Sequence, residues 1–443
     1  MSATFKHIAV IGGGWAGCAA AVDLAGAGCQ ITLFEASRSL GGRARALPLH
    51  GLTVDNGQHI LLGAYAASLR LLKKVGIDRK QAFLNLPLQM RYPPAAIDPG
   101  MDFVAPRLPA PLHLALALLR AKGLQGADKM ALARFSTTAR WMDWTLHTDC
   151  TVAELLERFD QTARLTTLMW RPLCLAALNT PPEQASARVF LAVLRDSLGA
   201  KRAASDMLLP WVDLSALFPL AAARFIEARE GSVRLGTAVS TLAAAGSAWE
   251  VNGEAFDGVV LALPPPAASK LLAPLELPAL CAQLDAFAYE PITTCYLQYD
   301  PALRLPLPFC ALLDQPDADR HGQFVFDRGQ LDPAQAGLLA VVISASRQAA
   351  ALDQDVLATQ LAFQLARDFA MPALATPLWQ QVITDKRATF ACLPGLDRPA
   401  NASGLPGLVL AGDYTAGEYP ATLESAVRSG VAAAVVLTGR RES

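Results

Sequence analysis

The sequence predicts an α/β fold in two interleaved lobes, one a parallel nucleotide-binding sheet and the other an α+β insertion. Three observations carry this expectation. A strand–glycine–helix–strand unit opens the chain between His7 and Glu35. A short apolar strand running into Gly412-Asp413 stands near its other end. Between them, long blocks read as helices or as alternating strands that the first unit does not need.

The opening unit follows from residue type. His7-Ile8-Ala9-Val10-Ile11 is an apolar run suited to a buried strand, and it leads straight into Gly12-Gly13-Gly14-Trp15-Ala16-Gly17. Gly12 permits the tight turn, Gly14 lets a pyrophosphate approach the backbone, and Gly17 lets the next helix lie close on the strand. The helix opening at Trp15 and Ala16 offers free N–H groups and a partial positive charge to phosphates. Its apolar residues end at Gly26 and Gly28, and Ile31-Thr32-Leu33-Phe34 forms the second strand. Glu35, 21 positions beyond Gly14 and followed by Ala36, is placed to accept hydrogen bonds from ribose hydroxyls. The pattern is Rossmann-like.

Next comes a second glycine pair followed by arginines, Gly41-Gly42-Arg43-Ala44-Arg45. The segment Leu52 to Tyr65 then carries Asp55-Asn56-Gly57-Gln58-His59, apolar residues and Gly63-Ala64-Tyr65 before a helix. The glycine–arginine segment resembles the flavoproteins of the amine oxidase and phytoene desaturase superfamily. The second segment is similar to the hydroxysqualene dehydroxylase family, squalene-forming flavoenzymes of hopanoid biosynthesis. The resemblance covers nearly the whole chain and implies an amine oxidase-like, two-dinucleotide-binding-domain flavoprotein. It places Gly41, Gly42 and Arg43 at the FAD pyrophosphate, and Gly57, Gln58 and His59 beside the flavin. Read from the residues alone, Asp55 is a turn-former or a catalytic group, and His59 a satisfied polar residue or a proton carrier.

From Ser68 to about Pro210 the pattern is mostly helical. Leu69 to Val75 forms one helix, Thr151-Val152-Ala153-Glu154 is a capping box opening another, and Leu165 to Leu178 and Phe190 to Leu194 add apolar faces. A helix from Pro219 to Glu230 and a strand from Gly231 to Val239 return to the first lobe, and the resemblance implies that the Val239 backbone holds the adenine. A small hairpin at Trp249–Val251 and Ala255–Asp257 precedes the core strand Val259 to Leu263, stopped by Pro264-Pro265. Tyr289 to Tyr299, Phe324-Val325-Phe326, Leu338 to Ser344 and Trp379 to Phe390 read as strands of a second sheet, with an amphipathic helix from Asp353 to Phe369. Lys386-Arg387-Ala388-Thr389-Phe390 before Pro394-Gly395-Leu396 again matches the dehydroxylase pattern.

Leu408-Val409-Leu410-Ala411 leads into Gly412-Asp413-Tyr414, and Ala421-Thr422-Leu423 begins a helix reaching about Leu437. The resemblance implies that Gly412 and Asp413 close on the ribityl and pyrophosphate, and that Ala421, Thr422 and Leu423 present a helix N-terminus to the flavin. A positive helix end there stabilises an anionic reduced ring. The expected lobes are residues 1–65, 212–265 and 391–443 for FAD, and 66–211 and 266–390 for substrate.

Composition bounds the rest. With 443 residues, 53% hydrophobic, and a formal net charge of −1, the chain buries a large core and shows no nucleic-acid bias. Eight scattered cysteines without a C-x-x-C motif argue against a metal site or a disulfide framework. The expected location is cytoplasmic, with a peripheral seat at the inner face of the cytoplasmic membrane left open. The apolar stretch Leu108 to Leu119, broken by prolines, is too short for the roughly 20 residues a spanning helix needs.

The resemblance implies non-covalent FAD and a hydrophobic isoprenoid substrate, with hydroxysqualene reduced to squalene by hydride from the flavin. His59 is then the leading proton donor, with a carboxylate or Lys386 as fallback. A carotenoid-type desaturase is the alternative. An amine oxidase is disfavoured, since Tyr289 to Tyr299 lacks the lysine those enzymes usually place near the flavin.

Overall fold

The computed structural model describes residues 6–95 and 101–439. At its centre is a five-stranded parallel sheet in the order Ser232–Arg234, Gln30–Phe34, His7–Ile11, Gly258–Leu261, Leu408–Leu410. Its three inner strands are buried along almost their whole length, so they are continuous apolar runs rather than alternating ones. The first and last strands lie on either side of Gly258–Leu261, and opposite ends of the chain thereby meet in one sheet.

Helices Trp15–Gly26 and Leu423–Thr438 pack together on one face. Their approach requires Gly430, where a Cβ would collide with the Ala16 carbonyl oxygen. On the other face lies a three-stranded antiparallel meander, Leu242–Ala245, Ala248–Val251 and Glu254–Phe256, one strand more than the expected hairpin. Phe256 packs edge-on against Phe34 with ring centroids 5.9 Å apart.

The second lobe holds a five-stranded antiparallel sheet in the order Phe309–Ala311, Phe324–Asp327, Leu338–Ser344, Tyr289–Gln298, Trp379–Phe390. Alternation divides its side chains. Cys295, Leu297, Cys310, Val325, Val341 and Ile343 pack against helix Gln354–Asp368, which Asp353 caps through the N–H groups of Asp355 and Val356. The opposite face looks into a cavity described below.

Residues 66–211 are largely helical, with two additions. Leu61–Leu62, Met207–Pro210 and Phe83–Leu86 form a small antiparallel sheet, and Gln89–Arg91 pairs with Asp102–Val104. The expected helix over Leu165–Leu178 contains a π-helical turn at Thr166–Trp170 before Arg171–Leu178. The capping box at Thr151 forms, with Thr151 Oγ1 accepting the Glu154 N–H and Glu154 accepting the Thr151 N–H. Helix Ala66–Lys74, given to the substrate lobe by sequence, packs on Leu423–Thr438. Glu424 accepts the Ala67 and Ser68 N–H groups, and Leu71 and Leu72 join the core around Ile8 and Val10. The sequence boundary at residue 65 therefore cuts through one packed core.

Candidate active site

Both lobes open onto one cavity of about 1150 Å³. Glycine-rich turns of the parallel sheet build one end of it. Three glycines there do different work. Gly12 has φ +108°, and a Cβ on it would strike the Ala262 carbonyl; a Cβ on Gly17 would strike the Gly12 carbonyl. A Cβ on Gly14 would meet nothing within 4 Å, because that side faces the open cavity. Gly14 is also the N-cap of helix Trp15–Gly26, and no side chain caps its first N–H groups.

The second glycine pair lies directly on this turn. Gly41 N–H donates to the Gly13 carbonyl at 2.8 Å, and a Cβ on Gly42 would sit 3.2 Å from the Gly14 Cα. Glu35 accepts the Gly13 and Ser37 N–H groups at 2.7 and 2.8 Å, which fixes its carboxylate at the cavity edge. Arg43 donates to Asp413 Oδ1 at 2.6 Å and to the Ala388 carbonyl at 2.8 Å. One side chain thus ties the first motif, the last motif and the second lobe together. Arg398, which sequence reasoning missed, donates to the Asp413, Gly417 and Tyr419 carbonyls and shapes the loop before the last helix. No local pattern around Arg398 marks that role.

Every residue expected at the cofactor lines this cavity except Gly17 and Val239. Gly17 acts behind the turn, through the close approach just described. Val239 stands outside the lining because its strand ends at Arg234, and the following turn, tied by Asn252 to Ser240 and Thr241, carries it toward the meander. These residues fit FAD. An open glycine face, uncapped helix N–H groups and an acid at the end of the second strand surround one space. The hydroxyl of Tyr414, buried in the same wall, has no hydrogen-bond partner among the described residues.

The segment carrying His59 crosses from the cradle to the second sheet and is bound there. Tyr296 donates to the Asp55 carbonyl at 2.6 Å, Gln58 donates to the Tyr296 hydroxyl at 2.8 Å, and buried Arg328 donates to Gln58 Oε1 at 3.0 Å. Asp55 is no exposed turn-former. It ends the strand Leu52–Asp55, is buried, and accepts the Leu214 N–H at 2.8 Å. Burial pushes its carboxyl up to about 7, against the opposing pull of that N–H and of Arg328.

His59 lines the cavity, with Nδ1 3.0 Å from the Gly57 carbonyl. A carbonyl only accepts, so Nδ1 carries the hydrogen and the neutral ring presents Nε2 as an acceptor. Burial lowers its affinity for a second proton, and the Gly57 carbonyl partly opposes this. Lys386 is a correction: it is exposed and outside the cavity lining. The pairing shifts between Glu290 and Ile292, where Lys386, Arg387 and Ala388 bulge opposite Pro291, so it is the neighbouring Asp385 that lines the cavity.

The far end is apolar. Phe309 and Phe324 stack at 5.5 Å with 15° between planes, and Phe326 packs on Phe309 at 5.0 Å. Helices Leu112–Arg120 and Gly126–Trp141 form the outer wall, with Leu114, Leu118 and Phe135 facing inward. The same two helices expose Leu112, Leu119, Met130 and Trp141 by 58 to 87%. No helix among the described residues is long and apolar enough to cross a membrane, and none of their His, Cys, Asp or Glu groups forms a metal-type cluster.

Known proteins agree with this architecture. The family model for flavin containing amine oxidoreductases matches residues 15–438. A hydroxysqualene dehydroxylase of Rhodopseudomonas palustris is 30% identical, covering 98% of this chain and 99% of the relative. A 15-cis-phytoene desaturase of Synechococcus elongatus is 25% identical over 98% of this chain and 96% of its own. Among solved structures, cyclohexylamine oxidase of Brevibacterium oxydans shares the fold, with a TM-score of 0.72 at 15% identity over 98% of this chain and 99% of that one. A glycine cradle joined by both chain ends to an apolar cavity, together with these matches, places the chain in the flavin containing amine oxidoreductase family, as an FAD-dependent oxidoreductase.

Proposed function

We propose that the protein reductively removes the hydroxyl of hydroxysqualene to give squalene. The observation that carries this reading is the continuity of the glycine cradle with a long cavity walled by aromatic and aliphatic side chains. The full-length relatives named hydroxysqualene dehydroxylase support it. Reduced FAD supplies a hydride equivalent when bound. In the overall change the substrate carbon loses its C–O bond and gains a C–H bond, and the hydroxyl leaves as water with one added proton.

The chain's own residues supply the remainder. Phe309, Phe324, Phe326 and Val342 bury the hydrocarbon at about 25 cal/mol per Å² and keep water from a carbocation-like centre. His59 delivers the proton. Its Nε2 accepts one first, since Nδ1–H is held by Gly57, and then gives it to the departing oxygen.

The test is anaerobic incubation of the photoreduced protein with hydroxysqualene, followed by product analysis. Squalene and reoxidised flavin are expected. Absence of squalene, with flavin in the oxidised protein bleached by a polyene precursor instead, would transfer the reading to a desaturase. We propose further that the exposed Leu112, Leu119, Met130 and Trp141 seat the outer wall peripherally on a bilayer, from which so insoluble a substrate is collected. Liposome flotation should be lost when all four are replaced by serine, and unchanged flotation removes this seat.

A further inference from the structure

The cavity-facing side of the second sheet is not uniformly apolar. Antiparallel partners point to the same face, so the pairings Ile292 with Ser344 and Ile292 with Asp385 put three residues in one row across three adjacent strands. All three line the cavity. Moving outward across the sheet, the next cavity-lining pair is Val342 with Phe324, followed by Phe326 and Phe309. The wall is therefore graded, with two polar groups flanking Ile292 and a hydrocarbon surface beyond.

Two neighbouring polar side chains are already engaged. Asn179 donates to Thr389 Oγ1 at 2.8 Å and accepts the Ala345 N–H at 2.6 Å. Gln58 is taken up by Tyr296 and Arg328. Ser344 uses its backbone with Gln323, while its hydroxyl has no partner among the described residues, although the residue is only 7% exposed. Asp385 accepts the Arg387 N–H through Oδ1 at 2.9 Å, and no hydrogen bond among the described residues reaches its Oδ2. The Ser344 hydroxyl and the second Asp385 oxygen are thus free to bond a polar group of a ligand in the cavity.

We propose that Ser344 and Asp385 form the subsite that recognises the hydroxyl of a long-chain isoprenoid alcohol, held above Ile292. This deepens the dehydroxylase reading and rests on it for the identity of the alcohol. Strand spacing puts the two backbones about 10 Å apart, which leaves room for one oxygen between their side chains. The carboxylate accepts the O–H and the serine hydroxyl donates to the oxygen. The hydrocarbon product satisfies neither, so the subsite favours the alcohol and lets the product go. A site built to bond a hydroxyl rejects the analogue that lacks it far more strongly than an apolar pocket rejects an extra group.

The experiment is a pair of titrations on the oxidised holoprotein, in which no turnover occurs. Hydroxysqualene and squalene are each followed through the flavin fluorescence. Wild type should prefer the alcohol by at least about tenfold, as bonds to an ionised group contribute more than neutral ones. Ser344→Ala should weaken alcohol binding about 2- to 10-fold and Asp385→Asn about 10- to 100-fold, with squalene binding unchanged in both. Equal weakening of both ligands, or of neither, overturns the subsite. Should Asp385→Asn fail to hold flavin, Ser344→Ala alone decides by the same criterion. Conversion by the photoreduced wild type is scored separately. A protein that prefers the alcohol without making squalene keeps the subsite and loses the dehydroxylase reading; one that makes squalene without preference does the reverse.

Discussion

The two ends of the cavity are built on opposite principles. At the cradle, recognition is done by backbone. Glycines keep side chains out of the way, a helix exposes its first N–H groups, and each motif involved is a short continuous stretch of sequence. At the far wall, side chains do the recognising, and Phe309, Phe324, Ile292, Ser344 and Asp385 meet only because five antiparallel strands fix their register. A backbone site tolerates almost no change of residue type at its glycines and leaves a motif behind. A register site needs only the right face of each strand, and leaves none.

The largest expected effect tests the first half of that contrast. At Gly17 an added side chain meets the Gly12 carbonyl with no room to shift, so Gly17→Val should abolish both the folded sheet and the flavin. At Gly14 the same side chain points into open cavity. Gly14→Val should therefore keep the fold and its melting transition while flavin occupancy drops below about a tenth. Absorbance of the purified proteins and their thermal melts separate the two. A yellow Gly14→Val protein would mean that the cofactor does not approach that turn.

The same contrast explains what was legible before the structure. The parallel sheet, its glycine turns and the closing Gly412-Asp413 strand could be read because each signal is local. Lys386 was misplaced for the complementary reason: its strand is recognisable, but the bulge opposite Pro291 that turns it outward and leaves Asp385 lining the cavity is a property of the pairing. The meander's third strand was hidden in Leu242–Ala245, whose three alanines carry little pattern. Arg398 was invisible because it serves carbonyl oxygens, which every residue has.

His59 stands where the two ends join and offers the second test. Its Nε2 must bind a proton before it can give one, and burial holds its pKa below the ordinary 6.5. Single-turnover reoxidation of the reduced protein should therefore speed up as pH falls through 6.5 and below. His59→Gln should be slower by about 10²–10⁴-fold and lose that slope, with flavin retained. A wild-type rate that is flat across this range, or one that the substitution leaves intact, would move the proton source to another cavity group.

The smallest effect concerns Asp55, which belongs to the cradle side by sequence and to the second sheet by its bonds. Its carboxyl rises from 3.8 to about 7 on folding, chiefly through burial. Between those values the folded state binds the proton that the unfolded chain has released. Stability must then fall as pH climbs through that window and level off above about 7. An asparagine at this position keeps an oxygen for the Leu214 N–H without ever becoming charged. Asp55→Asn should match the wild type near pH 4 and exceed it at pH 8 by about 1–3 kcal/mol, the balance of desolvation against the attraction to Arg328. Urea melts of both proteins at the two pH values measure this difference. If the variant is instead the less stable at pH 8, the Arg328 attraction outweighs desolvation, and Asp55 holds the two ends of the cavity together as an ion rather than as a neutral acid.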